Sequence, residues 1–433
     1  MSDLSYVRKE MLPEQAPPVS EAGIVGWMHA NLFSGWLNSS MSILVVVLLY
    51  FSIAPIVPWL MHGVWNAGSL NECRKIIVAS YGQGADGACW AVIHDRLLQF
   101  TFGFYPSDQY WRPTLAFLLL FPAIAPVLFS RVPRKMLLFS AVYPFLVAWL
   151  MWGGSAWGAI DAFLGFVIGV VLYRMMAERF GALLSIIISV LATILWWLFL
   201  SGPVAGILQG IIPLSLEPVE SRKFGGFMLS ILLGTTGIAA SFPLGIVLAL
   251  GRQSDLLIVK SLSVGFIEFI RGVPLITLLF VANSLLNIFL PPGTDFDIIL
   301  RVMIMITLFA AAYMAEVIRG GLAALPKGQY EAADALGLDY WKAQRLIIMP
   351  QALKISIPGI VSTFIGLFKD TTLVSIISLF DPIGIIQAIV ANAEWNGIIW
   401  ELYIFVAGVF FIFCFAMSRY SMYLERKLQT GHG

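Results

Sequence analysis

Apolar windows of ~20 residues, the length that crosses a hydrocarbon core of about 30 Å, recur about ten times along this chain. They fall near 42–62, 113–130, 136–152, 158–175, 182–201, 226–250, 265–290, 298–318, 357–378 and 398–418. No water-soluble core could hide so many. Of 433 residues 59% are hydrophobic, only 12% are charged, and the mean hydropathy is +0.87. The expected fold class is an all-α polytopic membrane protein, because a helix satisfies its backbone polar groups within one segment. Membrane lipid is its first partner. A net charge of +1 without clustered Lys and Arg excludes nucleic acid.

Charge between the spans orients them. Arg131, Arg134, Lys135, Arg174, Arg179, Arg252, Lys260, Arg319, Lys327, Lys342, Arg345, Lys354, Arg419, Arg426 and Lys427 all fall on the side of the N-terminus. The positive-inside rule makes that side cytoplasmic, and an even number of spans puts both termini there. Loops after Trp152, Leu290 and Leu379 carry no Lys or Arg before the next span. Arg222 and Lys223 break the rule, so 202–225 reads either as external or as an amphipathic or re-entrant piece. Residues 1–41 read as a polar tail without signal-peptide features, followed by an interfacial helix from Ile24 to Leu37 with Val25, Met28, Phe33 and Trp36 near one side. Cys73 and Cys89 share one long external loop, as a disulfide if that space is oxidising or as two thiols; with Cys414 they have no metal-type spacing.

One stretch departs from this pattern. Residues 316–354, EVIRGGLAALPKGQYEAADALGLDYWKAQRLIIMPQALK, are polar and charge-studded. Pro326 can open a helix, Ala332, Ala333, Ala335 and Leu336 give it a small apolar face, and Gly337 stops it. A second amphipathic run from Tyr340 to Leu346 is expected to end at Pro350, which makes a helix, turn, helix unit outside the membrane. Glu331-Ala332-Ala333, Gly337, Ile347, Met349 and Pro350 fit the spacing EAA-x3-G-x9-I-x-L-P, with Met in place of Leu. This resembles the coupling loop of ABC importer permeases.

The resemblance extends over roughly half the chain. Gly225-Gly226, Gly234-Thr235-Thr236, Gly245, Leu250-Gly251-Arg252, Glu268 to Leu275, Glu316 to Gly321, Gly328-Gln329, Pro350-Gln351-Ala352 and Lys369 to Leu373 are similar to the signature of the polar amino-acid subfamily. With its extra N-terminal spans the chain is most similar to the larger permease of bacterial general L-amino-acid transporters. The resemblance implies a division into 1–41, a five-span extension 42–220 and a type I importer core 221–433 of five helices, with a cytoplasmic coupling helix in loop 319–356. It also implies a place in the bacterial inner membrane, an ATPase dimer docked on that loop, a second homologous permease as heterodimer partner, and an extracytoplasmic amino-acid-binding protein. External loops at Pro291-Pro292-Gly293 and Asp381-Pro382 are candidates to receive that protein, although turn chemistry explains the same residues.

A zwitterion crossing lipid needs acceptors for its ammonium and donors or a cation for its carboxylate. Lys369 and Asp370 lie ~12 residues beyond Ile357, about 18 Å along a helix and near mid-membrane. Thr371 and Thr372 can satisfy a locally unwound backbone there. These four, with Glu316 and Asn283, are the expected substrate pathway; the alternative for the charged pair is a structural ion pair with Glu316 or with a neighbouring subunit. Glu268 and Arg271, three apart, read as an interfacial pair held to each other. Asn283 and Asn287 line a pathway or bond across helices. Asp161, His62 and His94 read as loop or interfacial residues.

No G-x-x-x-x-G-K-[ST] loop is present, so the chain is expected to bind no cofactor, with ATP and Mg on the partner ATPase. A membrane enzyme would need His, Cys or carboxylates at metal or acid-base spacing in the polar loop; it has neither His nor Cys, and Glu331, Asp334 and Asp339 read as solvated. A proton- or ion-coupled carrier built on Lys369 and Asp370 is the remaining alternative.

Overall fold

The computed structural model describes residues 23–129, 131–284 and 296–429. Within them nine helical runs are long and apolar enough to cross a membrane, ten if one bent pair counts as a span. Every expected window overlaps one of these. The tail before Gly23, Asn287 and Pro291-Pro292-Gly293 lie outside the described residues.

Residues up to Val92 form one compact unit and those from Ile93 onward another. The first holds α1 (Gly23–Asn31), α2 (Trp36–Ile53), α3 (Ile56–Met61) and α4 (Leu70–Tyr81). The single interfacial helix expected over Ile24 to Leu37 is in fact divided. Gly35 is extended and caps a new helix, so Phe33 and Trp36 do not share a face with Val25 and Met28. The apolar window of Trp36–Met61 buries no residue, as suits a helix whose solvent is lipid. Of the two alternatives for Cys73 and Cys89 the structure takes the disulfide, with Cα atoms 6.0 Å apart and both residues buried. His62 stacks on Tyr81 at 3.9 Å.

The second unit begins within α5 (Ala91–Phe102) and continues through α6 (Trp111–Leu128), α7 (Leu137–Trp152), α8 (Ala156–Phe180), α9 (Ala182–Leu195) and α10 (Ser201–Ile211). A π-helical turn over Trp196–Leu200 joins α9 to α10 as one span, so 202–211 completes a crossing and is not re-entrant. Beyond it β2 (Ser215–Leu216) pairs antiparallel with β1 (Gly154–Ser155). Trp152 Nε1 donates to Ser221 Oγ at 2.6 Å, and Ser221 in turn donates to Asp297. Arg222 and Lys223 therefore sit at the same end as the loop after Trp152. Asp161, expected at an interface, lies inside α8, only 1% exposed.

Then follow α11 (Gly226–Gln253), α12 (Leu257–Gly272), α13 (Leu275–Ser284), α14 (Ile298–Ala323), α15 (Lys327–Ala335), α16 (Tyr340–Ala343), α17 (Met349–Asp370), α18 (Pro382–Val390) and α19 (Trp400–Gln429). The expected straight span 265–290 is broken. Pro274 holds Val273 extended, and α12 meets α13 at 100°. Helices α11 and α14 pack closely because glycine leaves room: a Cβ on Gly245 would lie 2.6 Å from Met314 Cγ, and one on Gly237 3.0 Å from Ile306.

One buried cluster joins Tyr105, Ala116, Val147 and Met151 of the extension to Phe224, Leu229, Leu233, Ile306 and Leu367 of the following half. Helices α6 and α7 of the extension thus bury apolar residues in the same core as the half that follows. Residues 93–105 clasp the loop end of that core. Phe100, fully buried, lies 5.2 Å from Phe405; Asp95 accepts from Trp395 Nε1 at 2.8 Å, and Arg96 pairs with Glu394 at 3.1 Å.

Asp381 caps α18 at this end, accepting from the backbone N–H of Gly384 at 3.0 Å and of Ile383 at 3.3 Å. Burial pushes its carboxyl from 3.8 up to about 7, against those two bonds. A raised folded-state value in an acid means that the folded protein holds the proton where the unfolded chain releases it. The contribution to stability is complete below 3.8 and is lost as pH rises towards 7. Asp381→Asn should flatten this part of the melting-temperature profile between about pH 4 and about pH 7, and Asp381→Ala should cost roughly 0.5–2 kcal/mol as a lost cap. A wild-type melting temperature that rises with pH over that range, through this residue, would contradict the assignment.

Candidate functional site

The polar interruption folds as an elbow. Pro326 is extended and precedes α15, so it caps the helix from outside and is not its first residue. Gly337 has φ +68°, its N–H donates to Asp334 O at 2.9 Å, and Leu338 N–H donates to Ala333 O at 3.2 Å. Those two bonds form a Schellman stop, which needs the left-handed backbone that glycine adopts freely. Asp339 then caps α16 through Lys342 N–H at 3.0 Å, and hydrogen bonding with Lys342 holds its carboxyl below 3.8.

Pro350 does not end the second helix. A π-helical stretch, Gln344–Ile348, precedes it and runs into α17, so the chain is helical from Tyr340 to Asp370. Proline lacks an N–H and crowds the preceding turn, and the wider π register takes up that defect without breaking the run.

Within the elbow Ala333 is fully buried, while Glu331, Ala332, Ala335 and Gly337 are exposed. Leu336, Trp341 and Leu346 are 71%, 69% and 63% exposed, a dense apolar surface on a polar segment. Gln351 Nε2 donates to Gln329 Oε1 at 2.8 Å and ties α15 to α17. Behind α15 lies a cavity of about 340 Å³, flanked by Gln253, Tyr330, Asp334 and Gln344.

Deeper along the same helix, α17 ends at Asp370 and tightens into a 3₁₀ segment, Thr371–Ile377, closed by Ser378 at φ 65°. The backbone is overwound here rather than unwound. Hydroxyls serve it: Thr371 donates to Phe368 O at 2.7 Å and Thr372 to Lys369 O at 2.9 Å. Lys369 and Thr372 line a cavity of about 230 Å³ with Tyr403 and Phe410 of α19. Phe368 meets Gly234, eight residues into α11 and so about 12 Å from its Gly226 end. The charged pair therefore lies about 12 Å of helix rise from the Gly226 end of α11, and α17 begins eight residues before Ile357.

Other expected site residues go elsewhere. Val317, the residue after Glu316, accepts from the Ser356 hydroxyl at 3.2 Å, and Lys369 is 13 residues, roughly 20 Å, further along α17. Glu316 is paired with arginines instead. Arg319 Nε lies 2.8 Å from Oε1, Arg252 Nη1 3.4 Å from Oε2 and Arg271 Nη1 3.6 Å from Oε2. Glu268 is not held by Arg271 as expected but by Arg252 at 2.8 Å. Asn283 offers its backbone carbonyl to Arg301 at 3.2 Å.

The family profile described as "Binding-protein-dependent transport system inner membrane component" matches residues 241–430. Over all 433 residues, and 100% of both chains, the protein is 59% identical to the glutamate/glutamine/aspartate/asparagine transport system permease protein BztC of Rhodobacter capsulatus. The chain belongs to the amino-acid ABC importer permeases. A second relative, the inner membrane amino-acid ABC transporter permease protein YhdY of Escherichia coli, is 40% identical over 94% of this chain and 93% of its own. A solved amino acid ABC transporter described "with histidines" aligns at 28% identity and a TM-score of 0.41, over 46% of this chain and 91% of its own.

This permease is thus a multi-pass membrane subunit that moves amino acids, in an importer class that works with an ATPase and a binding protein. Sequence reasoning missed Arg252 as the shared partner of Glu268 and Glu316, 16 and 64 residues away. It also missed Tyr403 as a neighbour of Lys369. No local pattern signals pairs at such separations; the exposed Trp341, by contrast, could have been singled out as a large apolar residue inside a polar stretch.

Proposed function

We propose that this permease carries L-amino acids, acidic ones and their amides foremost, with α15 and its Gly337 stop docked on a separate ATPase in the cytoplasm. The elbow carries the reading: a rigidly capped helix with an exposed apolar surface, backed by a cavity and continuous through Pro350 with the helix that ends at Lys369 and Asp370. Force applied there has a stiff path to the membrane interior. The substrate range is supported by the name of the full-length relative and by the Lys369 ammonium in its cavity.

Lys369, Asp370, Thr371 and Thr372 form the pathway in this reading, and ATP hydrolysis belongs to the partner. The basic residues at the elbow end support a cytoplasmic position for that end and for both termini, and the Cys73–Cys89 disulfide suits an oxidising external space. A second, homologous permease completes the pathway as a heterodimer. Proteoliposomes containing the whole importer should take up glutamate and glutamine with ATP and no ion gradient; uptake that requires a gradient instead would refute it. Gly337→Val puts a β-branched side chain at φ +68°, a strain of roughly 1–2 kcal/mol that deforms the stop. ATPase co-purification and uptake should both fall about tenfold or more. Wild-type values for both would remove the docking assignment.

A further inference from the structure

Five charged side chains gather where three helices meet, within two turns of the elbow. Arg252 ends α11, Glu268 and Arg271 end α12, and Glu316 and Arg319 lie on α14. Glu316 stands seven residues, about 11 Å, before the end of α14 at Ala323. Arg271 also lies over the Tyr313 ring, 5.5 Å from its centroid, and precedes the bend at Pro274. Any displacement of the elbow that tilts α14 must therefore move Glu316 against Arg252 and Arg271.

The pairing is uneven in a way that suits such movement. Oε1 of Glu316 is held by Arg319 on its own helix, through both Nε and Nη2. Oε2 faces the other two helices, at 3.4 Å from Arg252 and 3.6 Å from Arg271, contacts too long to be saturated. Arg252 is closer to Glu268, at 2.8 Å. Three guanidinium groups share two carboxylates, and the Glu316 side chain is only 23% exposed. A partly buried charge is costly to leave unpaired, so a joint that moves is served by spare partners. A shift of about 1 Å is enough to exchange which arginine Oε2 holds.

We propose that Glu316 is a positioning residue for energy coupling, an ion-pair hub that keeps α14 registered on α11 and α12 while the elbow moves, by passing Oε2 between Arg252 and Arg271. This rests on the elbow receiving force from an ATPase. It assigns Glu316 to that transmission and not to the amino-acid pathway.

The test uses the whole importer in proteoliposomes with its binding protein. Glu316→Gln keeps the size and one acceptor but removes the charge. Assembly and basal ATPase should stay within about twofold of wild type, while stimulation by loaded binding protein and uptake fall roughly fivefold or more; Glu316→Asp should recover at least about half of both. A purely packing role would not spare basal turnover while losing its stimulation. If Glu316→Gln fails to assemble, Arg271→Gln tests the same joint with the Glu316–Arg319 pair intact, and the same selective loss is expected. Stimulation and uptake at wild-type level in the variant that assembles overturn the proposal. Wild-type complex without ATP-driven uptake would instead refute the docking of the ATPase.

Discussion

Gly226→Ala should lower the melting temperature of the protein by roughly 2–5 °C, a loss of about 2–5 kcal/mol. A Cβ at this position would lie 2.0 Å from Phe100 O and 2.6 Å from Phe100 C, and the backbone φ of +60° already disfavours any L side chain. The clashing atoms are backbone, so no rotamer can relieve them. What must move is the 93–105 clasp, along with Gly103, which presses on Gly225, and the Gly225 to Phe380 bridge. A control separates this from a general glycine effect. Gly265 in α12 has an open position for Cβ, so Gly265→Ala should leave the melting temperature unchanged or raise it slightly, by helix propensity. Equal losses in the two variants would show that the clasp is not load-sharing with the core.

Lys369→Met should reduce ATP-driven uptake by roughly a hundredfold while the importer remains assembled and no less thermally stable. The two measurements respond to different things. Lys369 is exposed where it lines the cavity beside Phe410, Tyr403 and Val406, so an unbranched apolar replacement removes no buried contact and leaves stability near wild type. Uptake is lost because the ammonium meets a substrate carboxylate. Uptake and melting temperature measured on the same preparation distinguish the roles: a residue that is only structural would lower both. Lys369→Arg should keep part of the uptake, because charge is retained while the compact point donor becomes a planar fork.

Most of the architecture could be read from residue order. Ten apolar windows match the spans because membrane thickness imposes one length on every crossing helix, whatever its neighbours. The elbow was equally legible: Gly337 at a helix stop and small residues before it are local chemistry, and the Schellman bonds from Gly337 and Leu338 follow from it. Where expectation failed, a proline or a long-range contact was involved. Pro350 reads as a terminator by propensity, but packing of α17 against α14, with a Cβ on Gly321 only 2.0 Å from Ser356 Oγ, holds the helix together through a π turn. Pro274 stands inside an apolar window that reads as one span, and the helix bends there by 100°.

Side-chain partnership across helices belongs to the folded chain alone. Glu268 has Arg271 within one turn, and local spacing favours that pair, yet Arg252 takes it because α12 folds back along α11, with Gly251 against Ser263. Glu316 likewise leaves Lys369 for three arginines, and 93–105 leaves the extension to clasp the core. Hydrophobic length and turn chemistry act over a few residues and are written in order along the chain. Which charges neutralise one another is a matter of which helices touch, and that is set by the summed packing of surfaces far apart in sequence.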